Sequence, residues 1–135
     1  MKEITIEAKV ENLNQVLAFL DEELEMHDCP MKVAMQMDIA VEELFVNIAY
    51  YAYNPDVGMA TIQIDFSDTP KQVSVTFIDS GIPYDPVAKE DPDVTLSAEE
   101  RKIGVLGIYM VKKSMDGMEY ERRDEKNILT IRKFF

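Results

Sequence analysis

The chain has 135 residues, of which 47% are apolar, and 26 acidic against 14 basic side chains give a formal charge of −12. This length fits a single domain over residues 1–135, and no apolar run approaches the roughly 18 residues of a membrane span. So acidic a chain repels nucleic acid and anionic membranes, which excludes both as expected partners. Cys29 is the sole cysteine, so no internal disulfide forms. The N-terminus has no apolar signal core, and we therefore expect a cytoplasmic protein.

The apolar pattern predicts the chain order β-α-α-β-β-loop-α-β-β. Residues 3–8 alternate as in a half-buried strand, and Asn12 with Gln15 has the spacing of a capping box before a helix to about Met26. Pro30 opens a second helix that runs to about Tyr53. Strands at 61–66 and 73–78 predict a hairpin, and a long loop, a helix at 104–115 and strands at 118–121 and 128–131 follow. This order predicts an α+β sandwich, in which helices cover one face of a mainly antiparallel mixed sheet.

Glu43 and Asn47 stand one helical turn apart, so both side chains project from one face of the second helix. Their neighbours are apolar, and an unpaired carboxylate is costly to bury there. One interpretation is the solvated polar edge of an amphipathic helix. The other is a site in which the Asn47 carbonyl oxygen binds Mg²⁺ and Glu43 acts as a general base on a hydroxyl group or a water.

Two glycine-containing segments indicate the rest of a nucleotide pocket. Asp79-Ser80-Gly81 ends a predicted strand, and it is either an Asp-initiated turn or a carboxylate that accepts a hydrogen bond from the adenine amine. Gly104-x-x-Gly107 opens the third helix, whose first amides are unpaired and can bind phosphate, although a loop-to-helix junction also favours glycine. Each pattern is weak alone. In this order the segments predict a pocket for Mg-ATP.

These segments resemble the sequence boxes of the GHKL (Bergerat-fold) ATPases, above all those of the anti-sigma-factor serine/threonine kinase branch. Ile39–Tyr53 is similar to the asparagine box, Asp79–Pro86 to the first glycine box and Ile103–Asp116 to the second. Asn127–Lys133 resembles the closing strand of that family. The resemblance spans residues from about 33 to the end and implies the Bergerat fold, a two-layer α/β sandwich.

The resemblance also implies a role for each matching residue. Glu43 is expected to be the catalytic base and Asn47 the magnesium ligand, while residues 86–103 form an ATP lid. Val105 stands where the family usually has a second adjacent glycine, which bears on turnover more than on nucleotide binding. The expected nucleotide contacts are Asp79 at the adenine amine, Gly81 beside the ring, Gly104 and Gly107 at the phosphates, and Thr130 as a second adenine contact.

The function implied by the resemblance is a Mg-ATP-dependent kinase that phosphorylates a STAS-domain anti-sigma antagonist on Ser or Thr and binds a sigma factor. One alternative is a partner-switch module that binds ATP or ADP without phosphotransfer, which Val105 motivates. A second alternative is an interaction domain whose pocket has decayed. The first strand, as an exposed sheet edge, would allow a homodimer.

Overall fold

A computed structural model of the protein describes residues 1–87 and 105–135. The predicted order of helices and strands is confirmed. The elements are β1 (Lys2–Glu7), a 3-10 turn (Val10–Asn12), α1 (Leu13–Met26), α2 (Met31–Tyr51), β2 (Met59–Asp68), β3 (Lys71–Asp79), α3 (Val105–Ser114), β4 (Gly117–Arg123) and β5 (Lys126–Phe134). Within these two ranges, no helix combines the length and apolar character that crossing a membrane requires.

The five strands form one sheet in the order β1-β2-β3-β5-β4. Every neighbouring pair in it is antiparallel, so over the described residues the sheet has no parallel pair and is not mixed. Strands β2 and β3 form one hairpin, and β4 and β5 form a second. The two hairpins join where β5 pairs with β3. Strand β1 lies at one edge of the sheet, as the sequence suggested.

Alternation along the strands divides the sheet into an apolar face and a polar face. The apolar face packs against the helices, and its side chains join those of α1 and α2 in one core whose members include Val16, Leu20, Met37, Val41, Phe45, Ile62, Ile64, Val73, Val75, Phe77 and Ile131. Full burial of one such side chain contributes about 1.5–3 kcal/mol. The opposite face carries hydroxyl pairs, Thr5 with Thr61 and Thr76 with Thr130. The result is the predicted two-layer α+β architecture.

The predicted capping box at Asn12 is wrong, although α1 begins where expected. The backbone of Asn12 has φ −94° and ψ 0°, and its side chain makes no capping hydrogen bond. Asn12 lies in the 3-10 turn instead, and its Nδ2 donates to the Glu7 carbonyl oxygen at 2.9 Å. A cap residue is typically extended, and the turn-like backbone of Asn12 departs from that geometry. The side chain consequently ties the turn to the end of β1.

Candidate functional site

A pocket opens between the C-terminal half of α2 and the adjoining ends of β3 and β5. Its empty volume is about 510 Å³, including the space open to solvent. Most of its wall is apolar or aromatic, with a few polar groups, as in many ligand sites. Asn47 and Asp79, which the sequence predicted to share a cleft, both line it. Among the residues that the structure describes, the lining consists of Leu44, Asn47, Ile48, Tyr51, Ala52, Phe77, Asp79, Ile82, Tyr84, Pro86, Tyr120, Asn127 and Leu129.

Asp79 is the last residue of β3 and is only 7% exposed. Its Oδ1 accepts two hydrogen bonds at 2.9 Å, one from the Gly81 N–H and one from the Asn127 amide. Oδ2 accepts none from the residues that the structure describes. An ionised carboxylate has only acceptor sites. Asp79 therefore offers the pocket an oxygen that suits a ligand amine.

Gly81 lets the segment after β3 lie directly on the end of α2. A Cβ on Gly81 would come within 2.6 Å of the Ala52 carbonyl carbon, and the next residue, Ile82, donates its N–H to the Ala52 oxygen at 2.9 Å. The glycine is thus required by the approach of the protein's own backbone. Its expected position beside an adenine ring stays a prediction.

Tyr53 also holds this end of β3 in place. Its hydroxyl donates to the Met59 carbonyl oxygen at 2.6 Å and accepts from the Ser80 N–H at 2.7 Å. Burial, with a smaller contribution from the nearby Asp79 carboxylate, raises the pKa of Tyr53. The hydroxyl therefore keeps its proton at neutral pH and can bridge the start of β2 to the residue after Asp79.

Glu43 and Gly107 bring the second and third helices together. A Cβ on Gly107 would overlap the Glu43 carboxylate and lie 2.7 Å from its Cδ atom. Gly107 is in the first turn of α3, where backbone amides are unpaired and the helix dipole favours negative charge. The structure thus places the predicted base against the helix start that was predicted to approach phosphates.

Asn47 fits the part of a magnesium ligand. It lines the pocket one turn after Glu43 and is half-buried, and its side chain makes no hydrogen bond to the residues described. Within the same residues, no three His, Cys, Asp or Glu side chains group closely enough to hold a metal. Mg²⁺ commonly takes one or two protein oxygens and completes its shell with substrate phosphates and waters. The Asn47 carbonyl can supply such an oxygen.

Thr130 is not among the described residues that line the pocket, so its expected role as a second adenine contact stays a prediction that this placement does not support. Residues of β5 alternate between faces: Asn127 and Leu129 line the pocket, whereas Thr130 pairs with Thr76 on the other face, with 3.0 Å between their hydroxyl oxygens. Asn127 takes the place beside Asp79. The sequence contained the signal for this, because a period of two from the apolar Leu129 and Ile131 puts Asn127 on the inward face.

Gly104 and most of the predicted lid, residues 88–103, lie outside the residues that the structure describes. The lid's first two residues are described: Pro86 is buried and lines the pocket, and Val87 donates its N–H to the Asp85 carboxylate at 2.9 Å.

Three comparisons with known proteins bear on this site. The family model for the histidine kinase-like ATPase domain matches residues 6–133. The serine/threonine-protein kinase BtrW of Bordetella bronchiseptica is 27% identical over 100 residues, which cover 74% of this chain and 70% of BtrW. The crystal structure of the SiaB–SiaC complex from Pseudomonas aeruginosa contains a chain with a TM-score of 0.61 and 15% identity, covering 98% of this chain and 89% of that one. At that identity the structural match shows a shared fold.

Proposed function

Because this chain belongs to the histidine kinase-like ATPase domain family, we propose that it binds Mg-ATP and transfers the terminal phosphoryl group to a serine or threonine of a STAS-domain anti-sigma antagonist. The observation that carries the proposal is that Asn47 and Asp79 line one pocket, while Glu43, one helical turn before Asn47, contacts Gly107 at the start of α3. The similarity to a serine/threonine-protein kinase supports the reaction class.

Each residue has a defined part in this proposal. Asp79 accepts a hydrogen bond from the adenine amine and so orients the base in the pocket. Glu43 accepts the proton of the attacking hydroxyl group. The unpaired amides in the first turn of α3 bind the phosphates, and Glu43 lies close to them because it contacts that turn. The Asn47 oxygen would hold Mg²⁺, which when bound would supply charge neutralisation at the phosphates. Phosphoryl transfer needs chiefly alignment and charge stabilisation, which these groups provide.

An apolar stripe along α2 supports a protein substrate. Met31 is 79% exposed, and Met35 and Ile39 are each 57% exposed. These residues recur every four positions, and the next position in the series is Glu43, so the stripe leads along one side of the helix to the proposed base. Exposed apolar side chains grouped in this way mark interaction surfaces. We assign the stripe to the STAS-domain antagonist, with basic groups on that partner facing the acidic surface of this chain.

A sigma factor is the second protein partner that we propose, and the cytoplasm is the proposed location. Homodimerisation through the β1 edge also stays a proposal. An edge strand presents unpaired backbone groups that a second copy can meet, and among the strands that the structure describes, β1 pairs with β2 alone.

The experiment that tests the proposal measures transfer of labelled phosphate from ATP to a purified STAS-domain antagonist. We expect Glu43→Gln to lower transfer by about 100-fold or more, in line with the loss of a general base. Glu42→Gln is the matched control, since Glu42 is exposed on the same helix. Transfer by Glu43→Gln at the wild-type rate would contradict the assignment of the base.

The second candidate is a partner switch that binds the nucleotide without transferring phosphate. Val105, the first residue of α3, favours it, because the family usually has glycine at this position beside the phosphates. Tight binding of ATP with no transfer to the antagonist, by wild type and by Val105→Gly alike, would select the switch. Phosphate transfer by Val105→Gly but not by the wild-type protein would identify the valine as the cause of the missing transfer.

A further inference from the structure

We propose that Asn127 is a positioning residue for base recognition: it orients the Asp79 carboxylate without itself donating a hydrogen bond to the base. The inference rests on the proposed nucleotide function and deepens it. Asn127 is the second residue of β5, directly opposite Asp79 in the β3–β5 register, and it is only 5% exposed. The sequence boxes included Asn127 in the closing strand and assigned it no role in the site.

The orientation of the Asn127 amide is decided by its surroundings. Its Oδ1 faces three donors: the Tyr120 hydroxyl at 2.5 Å, the Arg122 guanidinium at 3.1 Å and the Tyr84 N–H at 3.4 Å. Its Nδ2 faces two acceptors, Asp79 Oδ1 at 2.9 Å and the Ile82 carbonyl oxygen at 2.8 Å. Rotating the amide by half a turn would set donors against donors and acceptors against acceptors. One orientation alone satisfies every group.

This arrangement uses both amide hydrogens of Asn127 within the protein. The side chain therefore has no donor left for a ligand, and its influence on a base passes through Asp79. Oδ1 of Asp79 is held by Asn127 and by the Gly81 N–H, so the carboxylate cannot turn without losing both bonds. Its Oδ2 is thereby kept toward the pocket as an acceptor.

Arg122 joins the same network from the rim of the site. Its Nη1 donates to the Gly81 carbonyl oxygen at 2.9 Å as well as to Asn127. The segment after Asp79 is consequently tied to β4 and β5 by side chains, and the acceptor is held rigidly. A rigid acceptor discriminates strongly, because a ligand that presents a second acceptor there leaves both groups unpaired.

Adenine and hypoxanthine differ at the ring substituent that is proposed to face the Asp79 carboxylate. Adenine carries an amine where hypoxanthine carries a carbonyl oxygen, so the Asp79 oxygen attracts the first and repels the second. We expect the wild-type protein to bind ADP at least about tenfold more tightly than inosine diphosphate in the presence of Mg²⁺. If Asn127 sets the direction of the Asp79 carboxylate, removal of the Asn127 side chain lowers ADP affinity more than inosine diphosphate affinity. The ratio of the two affinities then falls.

The experiment is calorimetric titration of wild type, Asn127→Ala and Asn127→Asp with ADP and with inosine diphosphate. For Asn127→Ala we expect ADP affinity to fall by about tenfold, as a lost buried hydrogen bond does, with inosine diphosphate affinity changing by less than about twofold. Thr61→Ala is the control, because Thr61 pairs with Thr5 on the other face of the sheet; it should keep the wild-type ratio.

Asn127→Asp adds a readout that a merely structural role would not move. The new carboxyl group would face the Asp79 carboxylate on β3, the Tyr84 N–H after β3, and Tyr120 and Arg122 on β4. Two facing carboxylates share a proton as pH falls. A protonated Asp at position 127 can donate to Asp79 again, so the ratio of ADP to inosine diphosphate affinity should recover between about pH 8 and pH 5. The inosine nucleotide corrects for protonation of the phosphates.

The outcomes separate this inference from the proposed function. Wild-type discrimination by Asn127→Ala, or a pH-independent ratio in Asn127→Asp, would overturn the positioning role while leaving nucleotide binding intact. Absence of ADP binding by the wild-type protein would overturn the proposed function and this inference with it.

Discussion

The Glu43 carboxylate of α2 occupies the space that a methyl group on Gly107 of α3 would fill. This contact joins two sequence boxes that lie 64 positions apart, and it explains why a helix start with glycine at this position suits an acid on the neighbouring helix. The acid lies where the unpaired amides of α3 favour a negative charge. The position of Glu43 therefore depends on the absence of a side chain at residue 107.

Gly107→Ala is expected to separate stability from activity. The overlapping group is the end of a flexible side chain, so Glu43 can move aside, and alanine favours a helix over glycine by up to about 1 kcal/mol. Stability to urea should stay equal or rise, while phosphate transfer to the antagonist falls by about tenfold or more. Gly117→Ala is the control, since a Cβ there meets its nearest neighbour at an ordinary 3.6 Å. Full transfer by Gly107→Ala would argue against the displaced-base explanation.

Gly81→Ala is expected to act mainly on stability. The added methyl would meet the Ala52 carbonyl carbon at 2.6 Å, and this group belongs to the backbone of the α2 end and cannot swing aside. We expect a loss of about 1–3 kcal/mol in the free energy of unfolding, measured by urea denaturation. Because Asp79 Oδ1 accepts from the Gly81 N–H, ADP affinity should fall as well. An unchanged unfolding midpoint would show that the α2 end yields more easily than this packing implies.

Asp38 predicts a dependence of stability on pH. Burial, followed by contact with the Asp21 carboxyl and the charge of Glu42, raises the pKa of Asp38 to about 7. An unfolded aspartate titrates near pH 4, so the folded protein binds more protons between about pH 4 and pH 7, and this site makes stability fall as pH rises through that window. Asp38→Asn should remove the effect. The variant should be more stable than wild type at pH 8, on the order of 1 kcal/mol after solvent screening, and equal to it at pH 4.

Thermal unfolding at several pH values checks this expectation. Glu22→Gln is the matched control, because it removes an exposed carboxylate from α1, the helix that carries Asp21. It should reproduce the wild-type slope. A steeper fall in stability with pH for Asp38→Asn than for wild type would contradict the expected sign of the Asp38 contribution.

Met35→Glu is expected to weaken recognition of the protein substrate and to spare the nucleotide. The substitution puts a charge in the middle of the exposed α2 stripe, where burial against a partner would leave it unpaired. We expect KM for the antagonist to rise by about tenfold, with ADP affinity unchanged. Val57→Glu is the control, because Val57 is equally exposed at 57% but lies beyond the other end of α2. An unchanged KM would remove the stripe from the interface.

How far the sequence predicted this molecule can be judged at individual residues. The spacing of Glu43 and Asn47 placed both on one helix face, and the alternation at Val73–Phe77 marked a strand that ends at Asp79. These are local patterns, and the backbone geometry of helices and strands determines them directly. The capping box at Asn12 was wrong because the turn before α1 depends on contact with the end of β1, not on spacing alone.

By itself, the sequence determined the order of helices and strands and the composition of the core, because each follows from periodicity within a short segment. It also determined the three family-like sequence boxes, because each is a short continuous segment. Only the tertiary structure decided that Asn127, 48 positions from Asp79, would be its partner. It likewise decided that Gly81 serves the approach of Ala52 and that Gly107 makes room for Glu43. Strand register and helix contacts join residues distant in the chain, and local periodicity carries no information about which distant residue will arrive.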